Sequence, residues 1–559
     1  MNIQNIYEEW LKSAVKDPDL VPELKAMNEE QKEDAFYRDL SFGTGGMRGL
    51  IGAGTNRMNV YTITRAAQGL AGYVKNVTGG QNMHVAIAYD SRIKSKLFAR
   101  CTAEVLASQG IQVHIFPDIM PTPCLSYAIR RLSCAAGAVI TASHNPASYN
   151  GYKVYDGRGC QITDGIAGAI QKEIAEHAYF EETGNADFDA YVREKKITFI
   201  PDEIVDDYIQ DIRAQSVLGG CEVKRDMAII YSPLNGTGRS PVLRVLKESG
   251  FTDIRVVREQ EEADGNFTTC PYPNPEEIEA MELGLEYCRR YQADLLLATD
   301  PDADRCGIAV RKPDGSYVLL SANETGVLLL DYICARRMEN GTMPAHPVFL
   351  KTIVTTDLAE RIAQSYGVTT KNVLTGFKYI GEEICRMEDE GHADDFICGI
   401  EESYGYLTGT YVRDKDAVNA AHMIAEMFAF CRTQGIGLYE KLQEIYSRFG
   451  FCLNTLHSYK FEGSEGMRKM NRIMEDLRSG KASFPGFEVK DVMDYQKGID
   501  GLPRSNVLKF ILADGTLVVR PSGTEPKLKV YCSITADNES DARKVEEALI
   551  KETETILGE

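Results

Sequence analysis

Short runs of consecutive hydrophobic residues, bounded by loop-forming residues, recur along the chain. One is His84-Val85-Ala86-Ile87-Ala88-Tyr89-Asp90, which reads as a strand. Behind it the sequence predicts a Ser91 cap, a helix over 94–108, a stop at Gly110 and a strand over 112–116. A second unit starts with a strand at 227–231, continues through the loop SPLNGTGRS and a helix ending at Gly250, and returns as a strand at 254–257. A third starts at 348–353, with a helix over 357–365 stopped by Gly367. Continuous apolar strands alternating with helices predict mixed or parallel sheets covered on both faces. The three units imply three related α/β domains, although no strong sequence repeat accompanies them.

The last hundred residues follow another pattern. A polar helix over 463–477 precedes strands at 507–512 and 516–520, joined by an Asp514-Gly515 turn. A strand at 529–533 and a helix from Asp541 complete a smaller α+β domain. A length of 559 residues agrees with about four domains. The expected limits are 1–197, 198–321, 322–453 and 454–559.

A formal net charge of −20 argues against nucleic acid and anionic membrane as partners. An anionic small substrate is still allowed, provided that Arg, Lys and backbone N–H groups are concentrated around it. No apolar stretch approaches the roughly 20 residues of a membrane span, and MNIQNIYEEWLKSAVKD has no secretory pattern. The 14 cysteines lie singly, without CxxC pairs, so a reducing, cytoplasmic setting is expected. Trp10, the only tryptophan, has no assigned role.

Two segments carry the chemistry. Ala138-Val139-Ile140 reads as the end of a buried strand that delivers Thr141-Ala142-Ser143-His144-Asn145-Pro146 into an exposed turn. Leu295-Leu296-Leu297-Ala298 delivers Thr299-Asp300-Pro301-Asp302-Ala303-Asp304-Arg305 in the same way. Asp300, Asp302 and Asp304 alternate, and in an extended loop they would fall on one side, as hard oxygen donors suited to Mg²⁺. An EF-hand is excluded by Arg305 and Arg311 at its glycine and glutamate positions. A phosphoaspartate hydrolase, which also places DxD after a strand, stays open. An esterase elbow lacks its glycines, because Thr141 and Asn145 occupy them. Ser143 is thus a candidate for phosphorylation, with His144 and Lys153 nearby in sequence as candidate proton carriers.

Three further segments fit an anionic, hydroxylated ligand. Ser41-Phe42-Gly43-Thr44-Gly45-Gly46-Met47-Arg48-Gly49 fails the dinucleotide fingerprint at Arg48, and its glycines read either as a flexible turn or as an anion approach with Arg48 as a fixed charge. The GTG at 236–238 fails the same fingerprint at Pro241. Arg520-Pro521-Ser522-Gly523-Thr524-Glu525-Pro526 combines a guanidinium, hydroxyls and glycine-freed amides into a phosphate nest. Gly399-Ile400-Glu401-Glu402-Ser403-Tyr404-Gly405-Tyr406 follows an apolar strand, and its Glu and Ser can read vicinal hydroxyls.

Taken together and in order, these segments resemble the α-D-phosphohexomutase superfamily over essentially the whole chain. TASHNP is similar to its phosphoserine loop, DPDADR to its metal loop, GIEESYGY to its sugar loop and RPSGTEPKLKVY to its phosphate loop. The resemblance implies four domains around a cleft, three sharing one α/β fold and the last a mobile lid. It implies that phosphorylated Ser143 gives its phosphoryl group to a sugar monophosphate and recovers the other phosphoryl group after the bisphosphate turns over. Mg²⁺ would be held by Asp300, Asp302, Asp304 and the Ser143 phosphate. Arg48 and Lys153 would serve the reacting phosphate, Lys153 as proton shuttle, with His144 beside them and Arg305 steadying the phosphoserine. Glu401 and Ser403 would read sugar hydroxyls, assisted by Lys378 and Lys415, while Arg520, Ser522, Gly523 and Thr524 grip the distal phosphate.

The implied reaction is interconversion of glucose 1-phosphate and glucose 6-phosphate, with glucose 1,6-bisphosphate as intermediate and activator. GFKYIG and GIEESYGY are similar to the long branch that holds bacterial phosphoglucomutases, phosphopentomutases and a glucose bisphosphate synthase. Ile400 replaces a glycine frequent in glucose-specific members, and Tyr404 stands where Phe is frequent. Pentose phosphates and mannose phosphates are therefore the alternative substrates. A phosphatase using Asp300 as nucleophile, and a sensor without turnover, are the readings from other classes.

Overall fold

The apolar runs become the inner strands of three mixed sheets in the structure, a computed structural model that describes residues 3–184, 187–461, 463–499, 501–522 and 527–558. The first sheet holds β1 (Met47–Leu50), β2 (His84–Tyr89), β3 (Gln112–Ile115), β4 (Ala136–Ile140), β5 (Tyr149–Asp156) and β6 (Ile197–Phe199), in the order β1-β5-β4-β2-β3-β6. The second holds β7 (Ile229–Ser232), β8 (Ile254–Val256), β9 (Leu295–Thr299), β10 (Cys306–Arg311) and β11 (Tyr317–Leu320), in the order β11-β10-β9-β7-β8. The third holds β12 (Val348–Thr352), β13 (Thr369–Val373), β14 (Phe396–Glu401) and β15 (Gly405–Leu407), in the order β13-β12-β14-β15.

One motif underlies all three. The sets β5-β4-β2-β3, β10-β9-β7-β8 and β15-β14-β12-β13 have the same order and directions, with the first pair of each antiparallel and the rest parallel. In each set the third and fourth strands in chain order are joined by a short loop. Those loops are 141–148, 300–305 and 402–404, and each contains a non-glycine residue in the left-handed region: Ser143 at φ 52°, Ala303 at 48° and Tyr404 at 60°. The repeat that the sequence hides is thus a repeat of backbone path.

The fourth sheet is antiparallel: β16 (Phe451–Lys460), β17 (Val489–Asp494), β18 (Leu508–Leu512), β19 (Gly515–Pro521) and β20 (Lys527–Ala536), in the order β16-β20-β19-β18-β17. It docks on the third sheet's loops through Ile353, Val354, Leu374, Tyr495, Val507, Val518 and Tyr531. Polar contacts flank that apolar patch. Thr516 Oγ1 donates to Asp357 Oδ2 at 2.8 Å, and Lys509 Nζ lies 3.4 Å from Asp357 Oδ1. Trp10 belongs to the packing of the N-terminal helices, with its ring edge-on to Phe36, Tyr61, Tyr179 and Phe180. No helix among the described residues is long and apolar enough to cross a membrane.

One local expectation changes. Ser91 does not cap the helix after β2, which runs Ser95–Ser108 and starts from Lys94 at φ 64°. Asp90 takes over the turn, accepting from Arg92 N at 2.9 Å and Ser95 Oγ at 2.6 Å. The glycines at 43–46 differ in their surroundings: an added Cβ on Gly43 or Gly45 would meet open space, and one on Gly46 would not. Gly43 and Gly46 bond each other, and a Cβ on Gly46 would lie 1.8 Å from the Tyr152 carbonyl oxygen, so Gly46 serves tight backbone packing. Arg48 sits beyond them on the edge strand β1, opposite Gly151.

A pH dependence follows from the cap of helix Ala417–Thr433. Asp416 accepts from Val418 N at 2.9 Å, Asn419 N at 3.0 Å, and the hydroxyls of Tyr208 and Tyr411 at 2.9 Å. Burial outweighs these donors and pushes its carboxyl up to about 6, from 3.8. The folded protein therefore keeps a proton that the unfolded chain releases, and this stabilisation is full below about pH 4 and lost as the pH rises through about 6. We expect Asp416→Asn, which keeps a capping side chain, to lack that dependence. Wild-type stability relative to the variant should fall by about 3 kcal/mol between those limits, measured by urea unfolding at a series of pH values.

Candidate active site

The equivalent loops of the three sheets meet at their tips. Ser143 Oγ donates to Asp300 Oδ2 at 2.8 Å, which joins the first loop to the second. Cys306 N donates to the Tyr404 carbonyl at 3.1 Å, which joins the second to the third. Ser143 is not on an exposed turn; it is 5% accessible, because the loop folds back over β5 and is held from below. The holding group is Arg92. Its buried guanidinium donates to the carbonyls of Ser143 at 2.5 Å, Pro146 at 2.9 Å, Tyr149 at 3.1 Å and Asn145. Its Nε lies 3.3 Å from Asp90, and its face covers the Phe267 ring at 4.9 Å. Thr141 Oγ1 accepts from Ser143 N at 2.8 Å.

Asp300, Asp302 and Asp304 each place an oxygen within 4.8 Å of the others, and all three are buried. Their convergence does not come from alternation in an extended loop. Residues 301–303 form a turn in which Ala303 N donates to Asp300 O at 2.9 Å and Ala303 takes a left-handed φ. Gly236, in the loop after β7, lies directly beneath: a Cβ there would come 2.4 Å from Pro301 Cα, and Thr237 N donates to Pro301 O at 2.8 Å. That close approach accounts for Gly236, while Gly238 is crowded by the Thr299 and Tyr231 hydroxyls.

The acidic cluster is partly neutralised by lysines. Lys153 Nζ, from β5, lies 2.7 Å from Asp302 Oδ2 and 3.3 Å from Asp304 Oδ2, and Lys415 Nζ lies 3.2 Å from Asp304 Oδ2. Thr122 Oγ1 donates to Asp302 at 3.0 Å. Burial raises the Asp300 carboxyl well above the usual range, and its two like-charged neighbours add to this. Burial alone would lower Lys153, but Asp302 and Asp304 override it and keep the amine charged. Asp302 Oδ1 and Asp304 Oδ1 are buried without a hydrogen-bond partner among the described residues. Hard oxygens left unpaired beside a carboxyl that resists ionisation fit a divalent cation that accepts few protein ligands.

His144 Nδ1 lies 3.3 Å from Ser143 Oγ. Arg305, then burial and Arg48, push its imidazole down to about 2, so the ring is neutral. Arg305 is anchored by Glu276 Oε1 at 2.6 Å, and Arg48 donates to Asn145 Oδ1 at 2.9 Å.

Glu401 is the last residue of β14 rather than part of a turn, and Ser403 lies in the loop after it. Burial raises Glu401 to about 7 against the opposing field of Lys415, 3.8 Å away. Lys378 lies in the first turn of helix Phe377–Asp389 and is lowered by burial and, less, by Arg520, while Asp164 and Glu382 oppose. Arg520 lies near the end of β19 and hydrogen-bonds Tyr531. Ser522 N donates to Lys527 O at 2.8 Å. Gly523 and Thr524 lie outside the described residues.

Ile400 and Tyr404, the two departures in the sugar loop, do not face the cleft. Ile400 packs its methyl against Gly326 of helix Ala322–Asn340, where an added Cβ would come within 2.8 Å. The Tyr404 hydroxyl donates to Leu320 O at 3.0 Å. Both are core residues on the side of β14 away from Glu401. Sequence reasoning missed Arg92, Thr122 and Glu276, which act on the site from other elements. Only Arg92 carried a readable signal, as a charged residue three positions after a buried strand.

Comparison with known proteins agrees with this geometry. Phosphoglucomutase/phosphomannomutase alpha/beta/alpha domain I matches residues 39–180, domain II 206–315, domain III 321–449 and the C-terminal domain 467–551. The chain belongs to the phosphoglucomutase/phosphomannomutase family and is a mutase, an isomerase-type phosphotransferase of carbohydrate metabolism. The phosphoglucomutase of Staphylococcus haemolyticus is 36% identical over 549 residues, covering 95% of this chain and 96% of that protein. Among solved structures, pp63/parafusin, a phosphoglucomutase from Paramecium in its open form, aligns with a TM-score of 0.71 at 16% identity over 93% of this chain and 96% of that one. A family protein from Burkholderia thailandensis aligns at 0.69 and 19% identity, over 92% and 97%. These two likenesses bear on the fold alone.

Proposed function

We propose that the protein is a phosphoglucomutase interconverting α-D-glucose 1-phosphate and glucose 6-phosphate through phosphorylated Ser143 and glucose 1,6-bisphosphate. The observation that carries this reading is Ser143 Oγ at 2.8 Å from Asp300, at the point where three equivalent loops converge. The name shared by relatives at 36% identity supports glucose as substrate.

Ser143 is the phosphoryl carrier. Asp300, Asp302 and Asp304, with Ser143 once phosphorylated, would hold Mg²⁺, which supplies charge neutralisation for the moving phosphoryl group. Lys153 exchanges the proton of the attacking hydroxyl, and its charge state depends on how strongly Asp302 and Asp304 hold it. His144, being neutral, hydrogen-bonds the serine oxygen without adding charge. Arg48 and Arg305 flank the phosphoserine. Glu401 and Ser403 read hydroxyls, with Lys415 orienting Glu401. Arg520 and Lys378 flank the distal phosphate with Ser522, Gly523 and Thr524. A phosphatase reading has less support, because Asp300 Oδ1 already accepts from Asp304 N and Arg305 N, and Oδ2 from Ser143. We place the domain limits near 197, 321 and 453, although β6 (Ile197–Phe199) still pairs with β3 of the first sheet and β16 (Phe451–Lys460) already pairs with β20 of the fourth, and the cytoplasm as the setting.

The test is phosphorus NMR of the purified protein with Mg²⁺ and a trace of glucose 1,6-bisphosphate, offered glucose 1-phosphate and ribose 1-phosphate in parallel. Fast hexose conversion without free phosphate is expected. Preferential pentose conversion moves the assignment to phosphopentomutase, and free phosphate as main product overturns the mutase mechanism. Chelation should lower the hexose rate by at least about 10²-fold, with recovery on adding Mg²⁺. Unchanged turnover after exhaustive dialysis against EDTA would remove the metal from the reading.

A further inference from the structure

Away from the cleft, two cysteines from different domains meet. Cys160 lies in the loop after β5, and Cys385 on helix Phe377–Asp389 beneath the third sheet. Their sulfurs are 3.3 Å apart, the only such cysteine–cysteine contact among the described residues. Both are buried, Cys160 seated 3.3 Å from the position a Cβ on Gly381 would take.

The surroundings distinguish this pair from ordinary core thiols. Arg413, fully buried, donates through Nε to Cys385 Sγ at 3.3 Å. Arg158, partly exposed, donates to the Cys385 carbonyl at 2.8 Å and reaches Asp389 on the surface side. A thiol donating to its neighbour while a guanidinium faces that neighbour stabilises one thiolate. Cys385 is accordingly lowered, with the bond from Cys160 as the largest cause and Arg413 opposing burial, and Cys160 is raised. The other buried cysteines with resolved shifts are raised by burial, as inert thiols are.

We propose that Cys160 and Cys385 form a reversible disulfide joining the first and third domains when the protein meets a hydroperoxide. The Cys385 thiolate attacks a peroxide oxygen; the S–O bond forms, the O–O bond breaks, and the departing oxygen leaves as water after taking a proton. The Cys160 sulfur then attacks Cys385; the S–S bond forms, the S–O bond breaks, and the Cys160 proton leaves with that oxygen as a second water. Two thiols and one hydrogen peroxide thus give one disulfide and two waters, and an external dithiol reverses it. The sulfurs need to close by little more than about 1 Å to reach the length of a disulfide. The bridge ties residues far apart in sequence across a junction already pinned by Arg158, Arg130 and Arg413 around Glu388, so it acts as a staple on the native arrangement.

The full-length protein is treated with hydrogen peroxide at low molar excess, alkylated, digested without reduction and analysed by mass spectrometry. The expected result is a Cys160–Cys385 peptide pair that disappears after dithiothreitol, with an upward shift of the thermal midpoint of roughly 5 °C. Cys160→Ser and Cys385→Ser should each abolish both the peptide pair and the shift. Oxidation confined to the partly exposed Cys101 and Cys221, with Cys160 and Cys385 recovered as free thiols from the wild-type protein, overturns the proposal whatever the variants do. So does a midpoint shift that persists in both serine variants.

Discussion

Replacing Ser143 with Ala is expected to lower kcat by at least about 10⁴-fold while leaving the fold intact. The side chain contributes one oxygen, and among the described residues no other hydroxyl bonds Asp300 Oδ2. Alanine keeps the Cβ already accommodated at φ 52°, so it adds little backbone strain. What disappears is the acceptor of the phosphoryl group, and neither His144 nor Thr141, whose Oγ1 is committed to Ser143 N, occupies its place. The measurement is initial rate in both directions with saturating Mg²⁺ and bisphosphate, alongside thermal unfolding to show that the variant is folded. A phosphatase using Asp300 would retain its rate in this variant, so substantial activity would sink the phosphoserine mechanism.

Arg92→Met should produce the largest loss of stability, about 3–5 kcal/mol, together with loss of turnover. The methionine fills similar volume but leaves the carbonyls of Ser143, Asn145, Pro146 and Tyr149 without their shared donor, and Asp90 without its cation. Buried acceptors without partners incur their full desolvation cost, and the removed charge exposes the other. Arg92→Lys should recover only part of the loss, because one ammonium cannot span four carbonyls that a planar fork reaches. Chemical unfolding and the rate assay read the two effects separately. A variant with normal stability and a misplaced loop would show the rate loss alone. Normal values of both would mean that the loop holds its shape without Arg92.

The lesson for reading such a chain lies in which residues were legible. The strands before TASHNP and DPDADR were readable because all-buried strands show as unbroken apolar runs, and β4 and β9 are buried at every position. The smaller C-terminal α+β unit was readable from its turn and strands. Ser143, Asp300, Asp302 and Asp304 stood out because reactive residue types cluster within a few positions of one strand end. Arg48, Lys378 and Arg520 were named, but their surroundings were not: an edge strand for Arg48, the first turn of a helix for Lys378 and the end of β19 for Arg520.

Sequence alone determined the α/β class, the smaller C-terminal α+β unit and the identity of the segments that carry chemistry, since these follow from local periodicity and residue type. Only the tertiary structure decided which groups touch. Arg92 lies 51 positions before Ser143, Thr122 lies 180 before Asp302, and Cys160 lies 225 before Cys385. No local pattern encodes such pairings, because they arise when separate sheets stack. It also decided that Ile400 and Tyr404 are core residues. Strand alternation puts neighbours on opposite faces, but which face meets the cleft depends on the helix packed behind β14.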